Sequence, residues 1–334
     1  GATVNRYEII WDETYFIYPY KLSNNKTVPL SENELKEHTA TYNYLMKMKD
    51  KLKGRPYFDS SSKQWYELWN QRNMLHQLSQ KIVVQENSMR NEFVIDKGNY
   101  FYLDTCCGIS IKKEAGLSDF YVLAVLNSKL LDFIFKQITV PKAGGHYIHK
   151  PMFLERLPIA RISFTTPEKE RKEFFKEAVT LYKGLKYEDI IKWTEYEFAL
   201  KRNDTVHDFL AYLAEQMIEL NKTKNEESKG FVRWLEREIG AEINALANKT
   251  AIKEYHDNDF KHLLDVLKKN KNNISIDPSS RKIQELLEKH FTKSISVLQP
   301  LKEKIEATDG LIDEIVYKLY GLTEEEIEVV EGKG

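Results

Sequence analysis

The spacing of apolar positions changes near residue 160. Before it, short runs of aromatic and β-branched residues are separated by polar turns; after it, apolar residues recur every three or four positions among Lys and Glu. The first pattern predicts strands mixed with helices, and the second predicts helices alone. Arg6–Trp11, Tyr15–Tyr20, Lys81–Gln85, Glu92–Asp96, Tyr100–Leu103 and Ile109–Ile111 read as strands, with Asp96-Lys-Gly-Asn99 as a turn. Ser31-Glu-Asn-Glu34 has capping-box spacing and opens a helix that Gly54 and Pro56 stop. Trp65–Trp69 suggests a short amphipathic piece. Ser118 caps a further helix with Asp119 in its positive first turn. That helix is apolar on most faces through Leu126, which predicts burial, and it carries Lys136 and Gln137 toward a loop at Gly144-Gly145.

In the later part, helices are expected over 168–183, 188–200, 206–221, 230–248, 259–269, 279–291, 311–320 and 324–330. Thr166-Pro167 and Asp277-Pro278 read as N-caps followed by proline at the first helical position. Lys222–Lys229 and Lys268–Asn273 read as polar breaks, and no fixed-period repeat is visible. The expected fold class is α+β: a sheet-containing domain over residues 1–160, followed by an all-α helical domain over 161–334.

Composition adds a charge asymmetry. The 334 residues carry a net charge of −1, but residues 1–161 hold 22 Lys and Arg against 17 Asp and Glu, leaving the acidic excess to the later half. That imbalance fits a polyanion meeting the first half, or ordinary fluctuation. The two cysteines, Cys106 and Cys107, are adjacent. They cannot staple distant segments and lack the spaced pairs of a zinc site, so they read as small apolar residues of a protein in a reducing cytoplasm. The longest apolar run, Phe120–Leu126, falls far short of the roughly 20 residues a bilayer requires. The opening Gly1-Ala2 suggests a fragment of a longer protein.

Catalytic motifs are missing. The chain has no phosphate-binding glycine loop, no G-x-G-x-x-G, no H-E-x-x-H and no G-x-S-x-G. His146 and His149 lack a third metal ligand nearby, so no metal site and no catalytic residue is assigned. What remains is recognition. Lys142, Lys150 and the amides of Gly144 and Gly145 suit phosphate contact, while Gln137, His146, Tyr147 and His149 suit base edges. Glycine there permits positive φ and lets the backbone come close. The bland reading is a surface loop with a turn. A second set comprises Arg72, Asn73, His76 and Gln80, then Asn87, Ser88, Arg90 and Asn91; Arg and Asn are the side chains that read guanine and adenine bidentately. Its bland reading is ordinary loop polarity. Lys112 and Lys113 are either a phosphate contact or a solubilising pair.

Several of these segments occur in the order of a known family. Trp65-Tyr-Glu-Leu-Trp-Asn-Gln-Arg72, Lys81-Ile-Val-Val84, Asp104-Thr-Cys-Cys-Gly-Ile109, Leu123–Leu131, Gly144-Gly-His-Tyr147 and Phe153-Leu-Glu-Arg-Leu-Pro-Ile159 resemble the TaqI-like C-terminal specificity domain. This is the target-recognition part of adenine-specific DNA methyltransferases, including type IIG restriction-modification enzymes. The end of the chain, Leu311–Ile327, is similar to the C-terminus of many such enzymes. The resemblance implies double-stranded DNA as partner, together with an upstream methyltransferase domain or subunit, with or without a nuclease. S-adenosylmethionine and the Asn-Pro-Pro-Tyr motif would belong to that catalytic part, and neither is expected in this chain. The rival reading is a helical module that docks a protein subunit, with DNA contact incidental.

Overall fold

The computed structural model describes residues 4–11, 14–55, 58 and 60–333. The chain divides into two compact units, 1–127 with 131–161, and 128–130 with 162–334. The first is α+β and the second is helical.

The first unit opens with two short antiparallel pairs, β1 (Val4–Asn5) with β2 (Glu8–Ile9) and β3 (Tyr20–Ser23) with β4 (Lys26–Pro29). The expected strand over Arg6–Trp11 is therefore a tight hairpin: Tyr7 adopts φ 63°, which no strand residue holds. Tyr15–Tyr20 joins a strand only at Tyr20, although Pro19 O already accepts from Leu30 N–H at 2.9 Å. The capping box forms as expected. Ser31 Oγ accepts from Glu34 N–H, and Glu34 Oε2 accepts from Ser31 N–H at 2.8 Å. The helix it opens is broken into α1 (Glu32–Glu37), α2 (Thr39–Lys47) and α3 (Lys49–Lys53), because His38 and Met48 leave helical geometry. Gly54 follows α3, whereas Pro56 lies outside the described residues. Trp65–Trp69 forms turns rather than a helix; Trp65 and Tyr66 bury against Leu35 and Leu45.

After α4 (Met74–Leu78), β5 (Lys81–Gln85) becomes the centre of a three-stranded antiparallel sheet. The short β6 (Asn87–Ser88) follows, and β7 (Val94–Asp96) and β8 (Cys106–Ile109) flank β5 with Ile82 opposite both Ile95 and Ile109. Tyr100–Leu103 is not a strand, and the last strand sits three residues before its expected start. The Asp96–Asn99 turn is as expected: Asp96 Oδ1 accepts from Gly98 N–H (3.0 Å) and Asn99 N–H (2.9 Å), and Gly98 takes φ 86°. Lys81 and Asp96 face each other in register and form a fully buried ion pair, with Lys81 Nζ also donating to Gln77 O at 2.6 Å.

α5 (Asp119–Asn127) is buried along nearly its whole length, as its uninterrupted apolar run requires, and Ser118 Oγ accepts from Phe120 N–H at 3.2 Å. Asn127 then brackets the backbone of Phe93, accepting from its N–H and donating to its carbonyl, both at 2.9 Å. α6 (Lys129–Ile138) restarts after Ser128, so two helices replace one; β9 (Tyr147–Ile148) and α7 (Pro151–Leu154) complete the unit.

In the second unit, α8 (Glu168–Lys183) and α9 (Tyr187–Ala199) match the periodicity. Pro167, rather than Thr166, occupies the N-cap of α8, and Thr166 instead binds Asp204 through N–H (2.8 Å) and Oγ1 (2.6 Å). The expected break at Lys222–Lys229 does not exist. α10 runs unbroken over Asn203–Ile239, Gly230 included, because Lys222–Lys229 is mostly Lys and Glu and holds no glycine or proline. Its polarity has an internal partner: Glu227 Oε1 accepts from Ser294 Oγ at 2.7 Å, and Ser294 also meets Tyr255 Oη at 2.6 Å. After α11 (Lys249–Lys253) and α12 (Phe260–Lys269), α13 (Arg281–Tyr320) runs back along α10. It joins two expected helices into one that tolerates Pro300, and Ser280, not Asp277, is its N-cap. α14 (Glu324–Val330) closes the chain on a second capping box, Thr323 with Glu326.

Candidate nucleic-acid interface

The Gly144-Gly145 loop is the tip of a hairpin built from three tethers. β6 and β9 pair antiparallel with Asn87 opposite Ile148 and Ser88 opposite Tyr147. Lys142 N–H donates to His146 O and His149 N–H donates to Glu86 O, both at 2.7 Å, while Thr139 Oγ1 donates to Ile148 O at 2.7 Å. Gly144 and Gly145 hold φ 77° and 75°, both exposed, so the tip needs the left-handed backbone that only glycine takes without strain. Two segments that sequence reading kept apart, 86–91 and 142–150, are thereby one surface. Met89, 60% exposed, lies against the tip: a Cβ on Gly145 would sit 3.7 Å from its Cε.

Around the hairpin the cations are arranged with acids. Lys150 Nζ lies 3.4 Å from Glu86, Arg90 Nε lies 3.3 Å from Glu92, and Lys136 Nζ lies 2.7 Å from Asp132. Lys136 also stands over the Tyr147 ring at 5.6 Å. Lys142 differs, since its ammonium is held by the neutral amide of Asn87 at 2.7 Å, with no ion pair to a carboxylate among the described residues. Gln137 is exposed, and His146 and Tyr147 are half-buried. Arg72 is paired with Asp104, and its charge and those of Glu86 and Lys150 all act on the Cys107 thiol. Burial is the larger influence there, and it pushes both Cys106 and Cys107 above the ordinary thiol range, so both remain protonated on half-buried β8.

Two candidates are interior residues. His149 is fully buried, stacked on Phe135 at 4.3 Å, with Nε2 3.2 Å from Asn91 Oδ1. Burial drives its pKa down to about 4, so the ring is neutral. Asn91 is buried beside it, donating through Nδ2 to Leu126 O (2.9 Å) and through N–H to Asp132 Oδ1 (2.7 Å). Both anchor the hairpin from beneath instead of facing a groove, and nothing in their residue type signals this. Others of the second set have internal duties too. Asn73 caps α4, His76 bridges Tyr102 Oη (2.8 Å) and Ser110 Oγ (2.9 Å), and Gln80 holds Asp119 at 2.6 Å. Lys112 and Lys113 are exposed at the start of a separate 3-10 turn. Sequence reading missed Glu86, the acid that moderates Lys150.

Among the described residues, no group of three His, Cys, Asp or Glu side chains is placed to hold a metal ion, and no helix is long and apolar enough to cross a membrane. The surface offers cations, amides and rings. No curated protein matches the chain. Residues 203–316, in the second unit, match a domain of unknown function, DUF8810. Residues 1–159, which hold the hairpin and the sheet beneath it, match the TaqI-like C-terminal specificity domain, a domain of DNA recognition in restriction-modification enzymes that is not itself catalytic.

Proposed function

We propose that the first unit reads a DNA sequence for an adenine-N6 methyltransferase, of the type IIG kind or a relative of it. Its catalytic part, with S-adenosylmethionine, would lie on a separate domain or subunit. The observation that carries this reading is the hairpin, whose two left-handed glycines expose backbone amides between Lys142 and His146 on a tethered base. A rigid tip of that kind reaches a groove floor without first losing loop entropy. Lys142, Lys150, Arg90 and the Gly144–Gly145 amides would take phosphates, and Arg72, Gln137, His146 and Tyr147 would reach base edges. The target adenine would be extruded into the catalytic partner, this unit setting the register. A cytoplasmic setting suits that task.

The test is selection of a preferred duplex from a random pool, followed by binding of that duplex and a scrambled one at several salt concentrations. Lys142→Ala should weaken both duplexes and reduce the log–log salt slope by about 0.9. Tyr147→Ala and His146→Ala should narrow the gap between them, each well-read base pair being worth about 1–3 kcal/mol. Equal losses on both duplexes for all three variants would remove the base-reading roles.

A further inference from the structure

The first unit holds a cleft, of about 730 Å³, that the DNA reading above does not use. Its volume lies in the range of roughly 300–1,000 Å³ typical of small-ligand sites. One wall comes from the N-terminal stretch before β3, with Trp11, Tyr15, Phe16 and Tyr18; a second comes from Tyr100–Tyr102, the stretch whose aromatics made it look like a strand. The floor is Val4, Val83 and Cys106, the apolar face of the sheet. The rings meet one another mostly edge-on. Trp11 and Tyr15 cross at 88°, Phe16 and Tyr18 at 84°, and Phe16 and Phe101 at 67°. Edge-on packing leaves ring faces available to a further flat group.

Four further features define the ligand. The polar ends of the walls are tied back: Tyr18 Oη donates to Arg72 O, Tyr102 Oη meets His76 Nε2 at 2.8 Å, and Trp11 Nε1 donates to Thr14 O at 3.4 Å. The walls are therefore held in place before a ligand arrives. The mouth is solvated, with Tyr15 81%, Trp11 40% and Phe16 38% exposed, so large aromatic surface faces water where a soluble protein ordinarily covers it. The nearby acids do not repel an anion, because Asp96 is neutralised by Lys81 and Asp104 by Arg72, and the Lys81 ammonium lies 6.0 Å from the Tyr102 ring. Exposed Asn99, together with Thr14 and Thr105, supplies amide and hydroxyl groups at the cleft. Flat walls, polar groups and tolerance of negative charge fit a nucleobase carrying a phosphate better than an aliphatic or peptide ligand.

We infer that this cleft binds a single unstacked nucleobase, supplied either by a free nucleotide or by a base unpaired from DNA. The test uses the full chain and two kinds of probe. Deoxyadenosine and thymidine monophosphates are followed by saturation-transfer NMR, with N-acetyltryptophanamide as the peptide-like control. Duplexes with and without one unpaired adenine are compared by anisotropy. The nucleotides should bind, and Tyr15→Ala or Phe16→Ala should abolish that binding while paired-duplex affinity stays within about twofold. If DNA is the source, the unpaired base should improve affinity at least about fivefold, and the variants should erase the gain. Nucleotide binding without such a gain identifies a free nucleotide as the source. Binding of the tryptophan amide alone, of neither nucleotide, or equally by wild type and variants overturns the proposal. Tyr15 is exposed enough that its removal should not unfold the unit. The inference survives loss of the duplex reading, since the mononucleotide arm does not depend on it, and the duplex reading likewise survives an empty cleft.

Discussion

Acid should destabilise the first unit through His149, by an amount that follows from its surroundings. Burial between Phe135 and Phe93 holds the pKa at about 4, against about 6.5 in an unfolded chain. Above pH 6.5 the ring is neutral in both states and adds no pH dependence. Between pH 6.5 and 4 the unfolded chain gains a proton that the folded chain refuses, so stability falls as pH falls. Below pH 4 both states are charged and the loss is complete. A gap of about 2.5 units amounts to about 3 kcal/mol in full, and about 2 kcal/mol is already lost at pH 5. The assay is urea unfolding from pH 8 to 5 for the wild type and His149→Gln. Gln keeps a polar partner for Asn91 but cannot be protonated, so it should be less stable at pH 8 and close the difference toward pH 5. His76, also lowered by burial, is present in both proteins and cancels in the comparison. The two units need not unfold together, so the transition to follow is the one that the substitution moves. Parallel curves across that pH range would mean that His149 does not titrate from a buried neutral state, and the anchoring role would fail with it.

Three further outcomes can be checked. Lys81→Met leaves Asp96 buried without its ammonium and should lower stability by about 3–5 kcal/mol in thermal unfolding, whereas adding Asp96→Asn, which removes the charge but keeps an acceptor for the Gly98 and Asn99 amides, should recover much of that loss. Glu86→Gln releases Lys150 from an exposed pair of modest strength, about 0.2–1 kcal/mol, and should raise duplex affinity a few-fold at low salt with the gain fading as salt rises. In Gly108→Ala the new Cβ would meet Tyr102 Oη at 2.1 Å and His76 Nε2 at 2.6 Å, so that hydrogen bond must shift; a loss of about 1–3 kcal/mol should appear as a lower urea midpoint.

Where one local signal decides an element, the sequence is readable. The β-branched run of β5, the capping box of α1 and the apolar run of α5 were legible and formed. The misreadings share a cause, which is that a partner distant in sequence settles the outcome. Tyr15–Tyr20 and Tyr100–Leu103 carry strand-like composition because aromatics also line a cleft, and composition does not distinguish the two uses. Lys222–Lys229 looked like a break because its polar residues seemed to lack a reason to pack, yet Glu227 meets Ser294 of the returning helix. The hairpin tip was visible from its glycines and cations. The inward turn of His149 and Asn91 was not, since it rests on their bond to each other, on the Asn91 bond to Leu126 O and on the His149 stack with Phe135, all partners distant in sequence. Nor could residue types reveal that Lys150 faces Glu86 while Lys142 faces a neutral amide.

The uninterrupted α13, at 40 residues, is about 60 Å long by the 1.5 Å rise of an α-helix. Such a beam acts as a lever. A pivot of only about 5° at one end would sweep the other through about 5 Å, roughly one helical turn. Cross-bracing by Glu227, Ser294 and Tyr255 resists that swing near the α11–α12 end.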